Sequence, residues 1–232
     1  MSSAGRHNDG LTQSTARILT GATWKKQRVA VLLPAGGSIP TNVVIALRNL
    51  QTPTNQPCHW VACVGDEVGL AYERMIDSLL GHPELRDWEY VLTVEHDNTP
   101  PPDGLIRLIE RMEAHPEYAA ISGLYWTKGE SGVPQIWGDA NDPVMNFRPQ
   151  PPQPGKLVEC VGIGMGFVLY RMAMFRALAE KKVARPWFKT INGKCTQDLY
   201  FWGQVARPAG YRCAVDCSVL VGHHDASTGI TW

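Results

Sequence analysis

The sequence predicts a single α/β domain with a mixed, mostly parallel central sheet flanked by helices. Three observations predict it. Short, continuous apolar runs alternate with stretches of helical period through the first half of the chain, the pattern of strands joined by crossover helices. Strand-like runs return in the second half, at LVECVG and FVLYR, after a loop-rich interval. The 232 residues, 44% hydrophobic and 19% charged, are enough to bury one sizeable core and do not have the composition of a disordered chain.

Each element has its own justification. Residues 1–26 are polar and poorly patterned and read as a flexible tail, or a short helix at TARIL, leaving 27–232 as the folded domain. RVAVLL (28–33) is a strand buried on both faces. Ser38 and Pro40 open a helix carrying Val43, Val44, Leu47 and Leu50 at helical spacing. HWVACV (59–64) is the second strand. The next helix joins Leu70, Ala71, Met75, Ile76, Leu79 and Leu80 in one apolar face and stops at Gly81. YVLTV (90–94) is the third strand. Asp103 caps a helix with Leu105, Ile106, Leu108, Ile109 and Met112 inward, ended by His115-Pro116, and AAISGLYW (119–126) is the fourth strand. Residues 127–156, rich in proline, read as an extended loop or hairpin beside the site. A helix over about 172–182, a short helix at TQDLYF and one or two strands in YRCAVDCSVLVGHHD complete the chain.

Charge and composition exclude several classes. Lysine plus arginine balances aspartate plus glutamate at 22 each, so no global field draws the chain to nucleic acid or an anionic surface. Lys181, Lys182, Arg185 and Lys189 form a local basic group, read as a solvated helix end. No apolar run reaches membrane-spanning length. MSSAGRHNDG lacks the apolar core of a secretion signal, so the expected place is the cytoplasm, with reduced thiols at the six scattered cysteines. Cys213 and Cys217 near His223 and His224 match no standard zinc spacing, and zinc is not the favoured reading there.

In an open parallel sheet, ligands bind beyond the carboxyl ends of the strands. The first strand ends in Pro34-Ala35-Gly36-Gly37, the second in Gly65-Asp66-Glu67, the third in Glu95-His96-Asp97-Asn98. Four carboxylates at one rim need compensating cations, and no lysine or arginine lies beside them in sequence. A divalent ion on Asp97 answers that need. VLVG delivers His223, His224 and Asp225 in the same way, and a carboxylate with one imidazole suits Mn²⁺ or Mg²⁺ bridging a diphosphate. Asp198 begins a short helix backed by Tyr200, Phe201 and Trp202, an apolar wall that raises a carboxyl toward a general base; the same residue is equally an N-terminal helix cap. Gly162, Gly164 and Gly166 in VGIGMGF do not have dinucleotide-fingerprint spacing and read as room for a substrate close to the backbone. Trp126, Trp137, Trp187 and Trp202 are core residues or stacking platforms.

Together these features resemble the GT-A glycosyltransferases, in particular small family-2-like members, over about residues 28–225. The resemblance implies a GT-A-like (Rossmann-like) domain with a nucleotide-sugar half at about 27–126 and an acceptor half at about 127–232. VEHDNTPPPDGL looks like the DxD segment, standing here as Glu95-x-Asp97, with Asp97 the metal ligand. TQDLYF resembles the segment that supplies the base in inverting members, with Gln197 where glutamate is usual and Asp198 as the base. VGHHD resembles the C-terminal metal ligand, His223 or alternatively His224. Donor binding falls by the same resemblance to Pro34, Ala35, Asp66, Arg74, Glu95, His96, Asp97, Gly164 and Gly166. The activity implied is metal-dependent, inverting transfer from a UDP- or GDP-sugar, with Mn²⁺ or Mg²⁺, to a hydroxyl of a glycan, small molecule or hydroxylated DNA base. Alternatives are a nucleotidyltransferase, against which PAGGSIP lacks the basic residue of its loop, a non-catalytic nucleotide- or sugar-binding module, and a metal-dependent hydrolase.

Overall fold

The computed structural model describes residues 26–192 and 195–232, so the expected tail lies outside the described residues except for Lys26. In chain order the elements are β1 (Val29–Ala35), α1 (Thr41–Asn49), β2 (Cys58–Val64), α2 (Val68–Gly81), a 3₁₀ turn (Leu85–Asp87), β3 (Tyr90–Val94), β4 (Asn98–Thr99), α3 (Gly104–Ala114) and β5 (Ala120–Leu124). There follow β6 (Ile136–Asp139), β7 (Leu157–Ile163), β8 (Phe167–Arg171), α4 (Met172–Glu180), α5 (Gln197–Tyr200) widening into a π-type turn over Phe201–Ala206, β9 (Cys213–Leu220) and β10 (Gly222–His223).

Eight strands form one sheet in the order β2-β1-β3-β8-β5-β9-β7-β6, to which both halves of the chain contribute. β1 pairs parallel with β2 and β3, β8 runs antiparallel between β3 and β5, and β5 pairs parallel with β9, so β1, β2, β3, β5 and β9 share one direction. The apolar run of β1 divides by the twofold period of a strand. Ala30 and Leu32 meet Ala71, Tyr72, Met75 and Ile76 of α2, while Val29, Val31 and Leu33 join the cluster built on α3 with Leu105, Leu108, Ile109 and Met112. A strand covered on both faces has no reason to alternate with polar residues, and β1 does not.

Several local expectations differ from the structure. Leu70 points to solvent, and Val44 and Ile45 of α1 are exposed; Tyr72 and Glu73 are buried instead. Asp103 stands at the start of α3 without a side-chain capping bond. The proline-rich interval contains a strand, β6, paired antiparallel with β7. The chain does not abandon strand structure after Asp97, because Asn98–Thr99 pairs antiparallel with Gly222–His223 as a two-stranded ribbon.

Glu73 explains how the segment leading into α5 is held. Its carboxylate accepts hydrogen bonds from the backbone N–H groups of Trp187 and Phe188, the latter at 2.7 Å, and pairs with the Arg185 guanidinium at 2.6 Å. Arg185 also bonds Asp77 and lies 3.5 Å above the Trp187 ring, so it is a structural cation rather than part of an open basic patch. Removing one partner of a buried pair strands the others and costs about 3–5 kcal/mol. Glu73→Ala is therefore expected to lower the thermal midpoint by roughly 6–20 °C. A midpoint within a degree or two of wild type would show that this network does not hold the 185–188 segment.

Candidate active site

Because β1, β2 and β3 run parallel, their carboxyl ends open on one rim. There a cleft of about 280 Å³ is lined by Pro34, Ala35, Gly36, Asp66, Val68, Glu95, His96, Asp97 and Gln197. Six of the residues singled out for donor binding thus line one cavity, together with the neighbour of Asp198.

The β4–β10 ribbon brings the second acid-and-imidazole segment to the first. It places His223 opposite Asn98, and the His224 N–H donates to the Asp97 carbonyl at 2.7 Å. The Trp126 carbonyl lies 2.7 Å from His223 Nδ1 and can only accept, so Nδ1 carries the hydrogen and Nε2 faces Asp97 Oδ2 at 3.5 Å. Of the two histidines, His223 is the one at the carboxylate. His224 is buried with its Nδ1 against Asn42 and Thr231.

The rim also holds a cation that adjacency in sequence does not show. Lys128, from the loop after β5, donates to Asp97 Oδ2 at 2.6 Å. Burial opposes the Asp97 charge, but His223 and Lys128 outweigh it and hold the carboxyl well below the ordinary carboxylate range. Its other oxygen, Oδ1, is buried without a hydrogen-bond partner. Among the described residues no three His, Cys, Asp or Glu side chains gather as for a metal ion. Asp97 and His223 are a pair, and further ligands would have to come with a bound molecule.

Glu95 is the neutral counterpart of Asp97. It lines the cleft, but its carboxyl is crowded by packing; burial first, then the charges of Asp97 and Asp198, push it up to about 8. The buried Tyr72 hydroxyl lies 3.3 Å from its Oε1 and offsets only part of that rise. Asp198 is buried near the start of α5, and burial raises it despite the Thr196 side chain and the Leu199 N–H, which donates to Oδ1 at 2.8 Å. Asp198 has the buried setting expected of a base but is not the helix cap, since Thr196 holds the N-cap position and Asp198 lies inside the first turn.

Other candidates are placed differently. Asp66 pairs with Arg74 at 2.6 Å and accepts from the Cys63 thiol at 3.0 Å. Gly164 and Gly166 do not line the cleft. A Cβ on Gly164 would meet the Tyr125 hydroxyl at 2.3 Å, and one on Gly166 would meet Asn98 Oδ1 at 2.5 Å, so the chain's own side chains fill the room expected for a substrate. Trp187 and Trp202 have no solvent contact and are core; Trp126 and Trp137 are half-buried. The six cysteines form no disulfide, and Cys213 is buried in β9, bonded to the Cys160 carbonyl rather than turned toward His223. No helix among the described residues is long and apolar enough to cross a membrane.

Two participants are not apparent from the sequence: Lys128 and the Trp126 carbonyl. Lys128 had a signal, since it lies two residues after AAISGLYW and so falls at the end of the fourth strand, beyond the three strand ends first considered.

No family model matches the chain, and neither does any curated protein. Among solved structures it is similar to the crystal structure of A197 from STIV, with a TM-score of 0.60 and 17% identity over 85% of this chain and 86% of that one. At that identity the likeness shows a shared fold.

Glu95 gives the site a pH signature. An exposed glutamate titrates near 4.5, so between that pH and about 8 the folded chain keeps a proton that the unfolded chain has lost. Stability falls as pH rises through this window, by at most on the order of 5 kcal/mol. In EDTA, Glu95→Gln is expected to flatten this slope in chemical unfolding curves. An identical slope in the variant would remove Glu95 as its source.

Proposed function

We propose that the protein is a glycosyltransferase that binds a nucleotide-sugar in the cleft and passes the sugar, with inversion, to an acceptor hydroxyl. The observation that carries this reading is the meeting of Asp97 and His223 at the carboxyl end of β3, with one Asp97 oxygen buried and unpartnered, beside a cleft whose lining includes Gln197, the neighbour of Asp198. A carboxylate and an imidazole whose far nitrogen is already committed suit Mn²⁺ or Mg²⁺, and Asp97 and His223 would hold it. Such an ion, when bound, supplies positive charge against the diphosphate of a UDP- or GDP-sugar.

The chain's own groups have definable tasks. Trp126 keeps His223 in one orientation through its carbonyl. Glu95, neutral at pH 7, offers an O–H donor instead of a second charge, so it can hold a donor oxygen without repelling the diphosphate. Pro34 and Ala35 form the wall at the end of β1. In the transfer itself the acceptor oxygen bonds to the anomeric carbon as the bond to the diphosphate oxygen breaks. The electron pair leaves with the diphosphate, and Asp198 takes the acceptor's proton. Burial that raises a carboxyl also makes it a better base.

The test is release of nucleoside diphosphate from a panel of UDP- and GDP-sugars in Mn²⁺ with candidate acceptors. Asp198→Asn is expected to keep nucleotide binding and lose at least about a hundredfold in turnover. Asp97→Asn is expected to lose the Mn²⁺ dependence of nucleotide binding. Wild-type turnover in Asp198→Asn would remove the base, and pyrophosphate release from nucleoside triphosphates alone would replace the reading with nucleotidyl transfer.

A further inference from the structure

Lys128 and His223 meet the same atom. Lys128 Nζ lies 2.6 Å and His223 Nε2 3.5 Å from Asp97 Oδ2. An ion held jointly by Asp97 Oδ2 and His223 Nε2 would compete with the ammonium for that oxygen. We propose that Lys128 is an exchangeable counter-cation: it compensates Asp97 in the unloaded protein, and yields that oxygen to a divalent ion when the donor arrives, turning its charge onto the diphosphate. This rests on the nucleotide-sugar reading for its second half only; the competition at Asp97 stands on geometry alone.

The surroundings of Lys128 fit a side chain that moves on a backbone that does not. The Thr127 N–H donates to the Val133 carbonyl at 2.9 Å, the Val133 N–H returns to Thr127 Oγ1 at 2.9 Å, and the Gly132 N–H bonds the Gly129 carbonyl at 2.9 Å. The loop is closed by its own bonds. A Cβ on Gly132 would fall 2.3 Å from the Thr127 carbonyl, so the turn is tight enough to demand glycine there. The same segment also supplies the Trp126 carbonyl that orients His223. The Lys128 side chain keeps a third of its surface in solvent and has Asp97 as its carboxylate partner, whereas Asp97 is largely covered. Four rotatable bonds on a fixed base let an ammonium travel several ångströms without refolding the loop.

The need for such a residue follows from charge. A largely covered carboxylate is costly to leave without a cation, and Lys128 Nζ at 2.6 Å is the cation that meets it. A lysine on a long stem can fill that place until an ion with a diphosphate outcompetes a single charge. Lys128 is in this account a positioning and charge-balancing residue. Its signature is opposite in sign for the two ligands.

The experiment measures Mn²⁺ binding by electron paramagnetic resonance at fixed pH, without nucleotide, for wild type, Lys128→Met, Lys128→Arg and the double variant Lys128→Met/His223→Ala. Lys128→Met is expected to bind Mn²⁺ about tenfold more tightly than wild type, Lys128→Arg to match wild type, and the double variant to lose the gain. UDP and GDP binding in saturating Mn²⁺ is then expected to weaken about tenfold in Lys128→Met. Unchanged or weaker Mn²⁺ binding in Lys128→Met, a gain that survives loss of His223, or no Mn²⁺ binding by any of the four proteins would overturn the exchange. If Mn²⁺ binding tightens as expected but neither UDP nor GDP binds any variant, the competition at Asp97 holds and it is the nucleotide-sugar reading that fails.

Discussion

The ionised state of Asp97 is the constraint on which the rest of the site depends. A carboxylate at the end of a buried strand is costly to keep charged without polar partners, and here a lysine and an imidazole reach it from two places far away in sequence. Lys128 arrives from the loop after β5, and His223 arrives on β10. The ribbon that joins β4 to β10 is short, and with the His224 N–H bond to the Asp97 carbonyl it lays the last segment of the chain against the end of the third strand. Fold and site are therefore coupled. The central sheet lines up the strand ends, and one two-residue pairing turns that rim into a chemical site.

The site divides its acids by environment. Asp97 is held low by His223 and Lys128 despite its burial, Glu95 is pushed up by burial and then by the charges of Asp97 and Asp198, with the Tyr72 hydroxyl offsetting part of the rise, and Asp198 is raised by burial. Three acids in close quarters would repel a diphosphate if all were charged. Keeping Glu95 protonated near neutral pH removes one charge from the rim beside Asp97, whose own charge Lys128 compensates. Asp66 adds no free charge, because Arg74 engages it.

Much of the fold was legible in the sequence because its strands are short, uninterrupted apolar runs and its helices carry one apolar stripe. The first four long strands and the helices between them occur where RVAVLL, HWVACV, YVLTV and AAISGLYW place them. β6 was not legible, since IWGD is four residues inside a proline-rich interval and pairs with a distant strand. β4 was hidden by the prolines that follow it. At the site, Asp97 and His223 could be read from their strand-end positions. The role expected for Gly164 and Gly166 could not, because Tyr125, Gln135 and Asn98, which fill the space beside them, are set by tertiary packing. Nor could the compensation of the acids, since charge partners across a sheet leave no mark in adjacency.

Thermal unfolding against UDP- and GDP-sugars and plain nucleoside triphosphates, each in Mn²⁺ and in EDTA, tests the central claim most directly. A ligand at a hundred times its dissociation constant adds about 2.7 kcal/mol, a rise of roughly 5–10 °C for a chain of this size. The account predicts that one class of nucleotide-sugar stabilises the protein in Mn²⁺ and that EDTA removes most of the effect. No shift with any nucleotide-sugar under either condition would contradict it, and the cleft at the end of β3 would then not be a donor site.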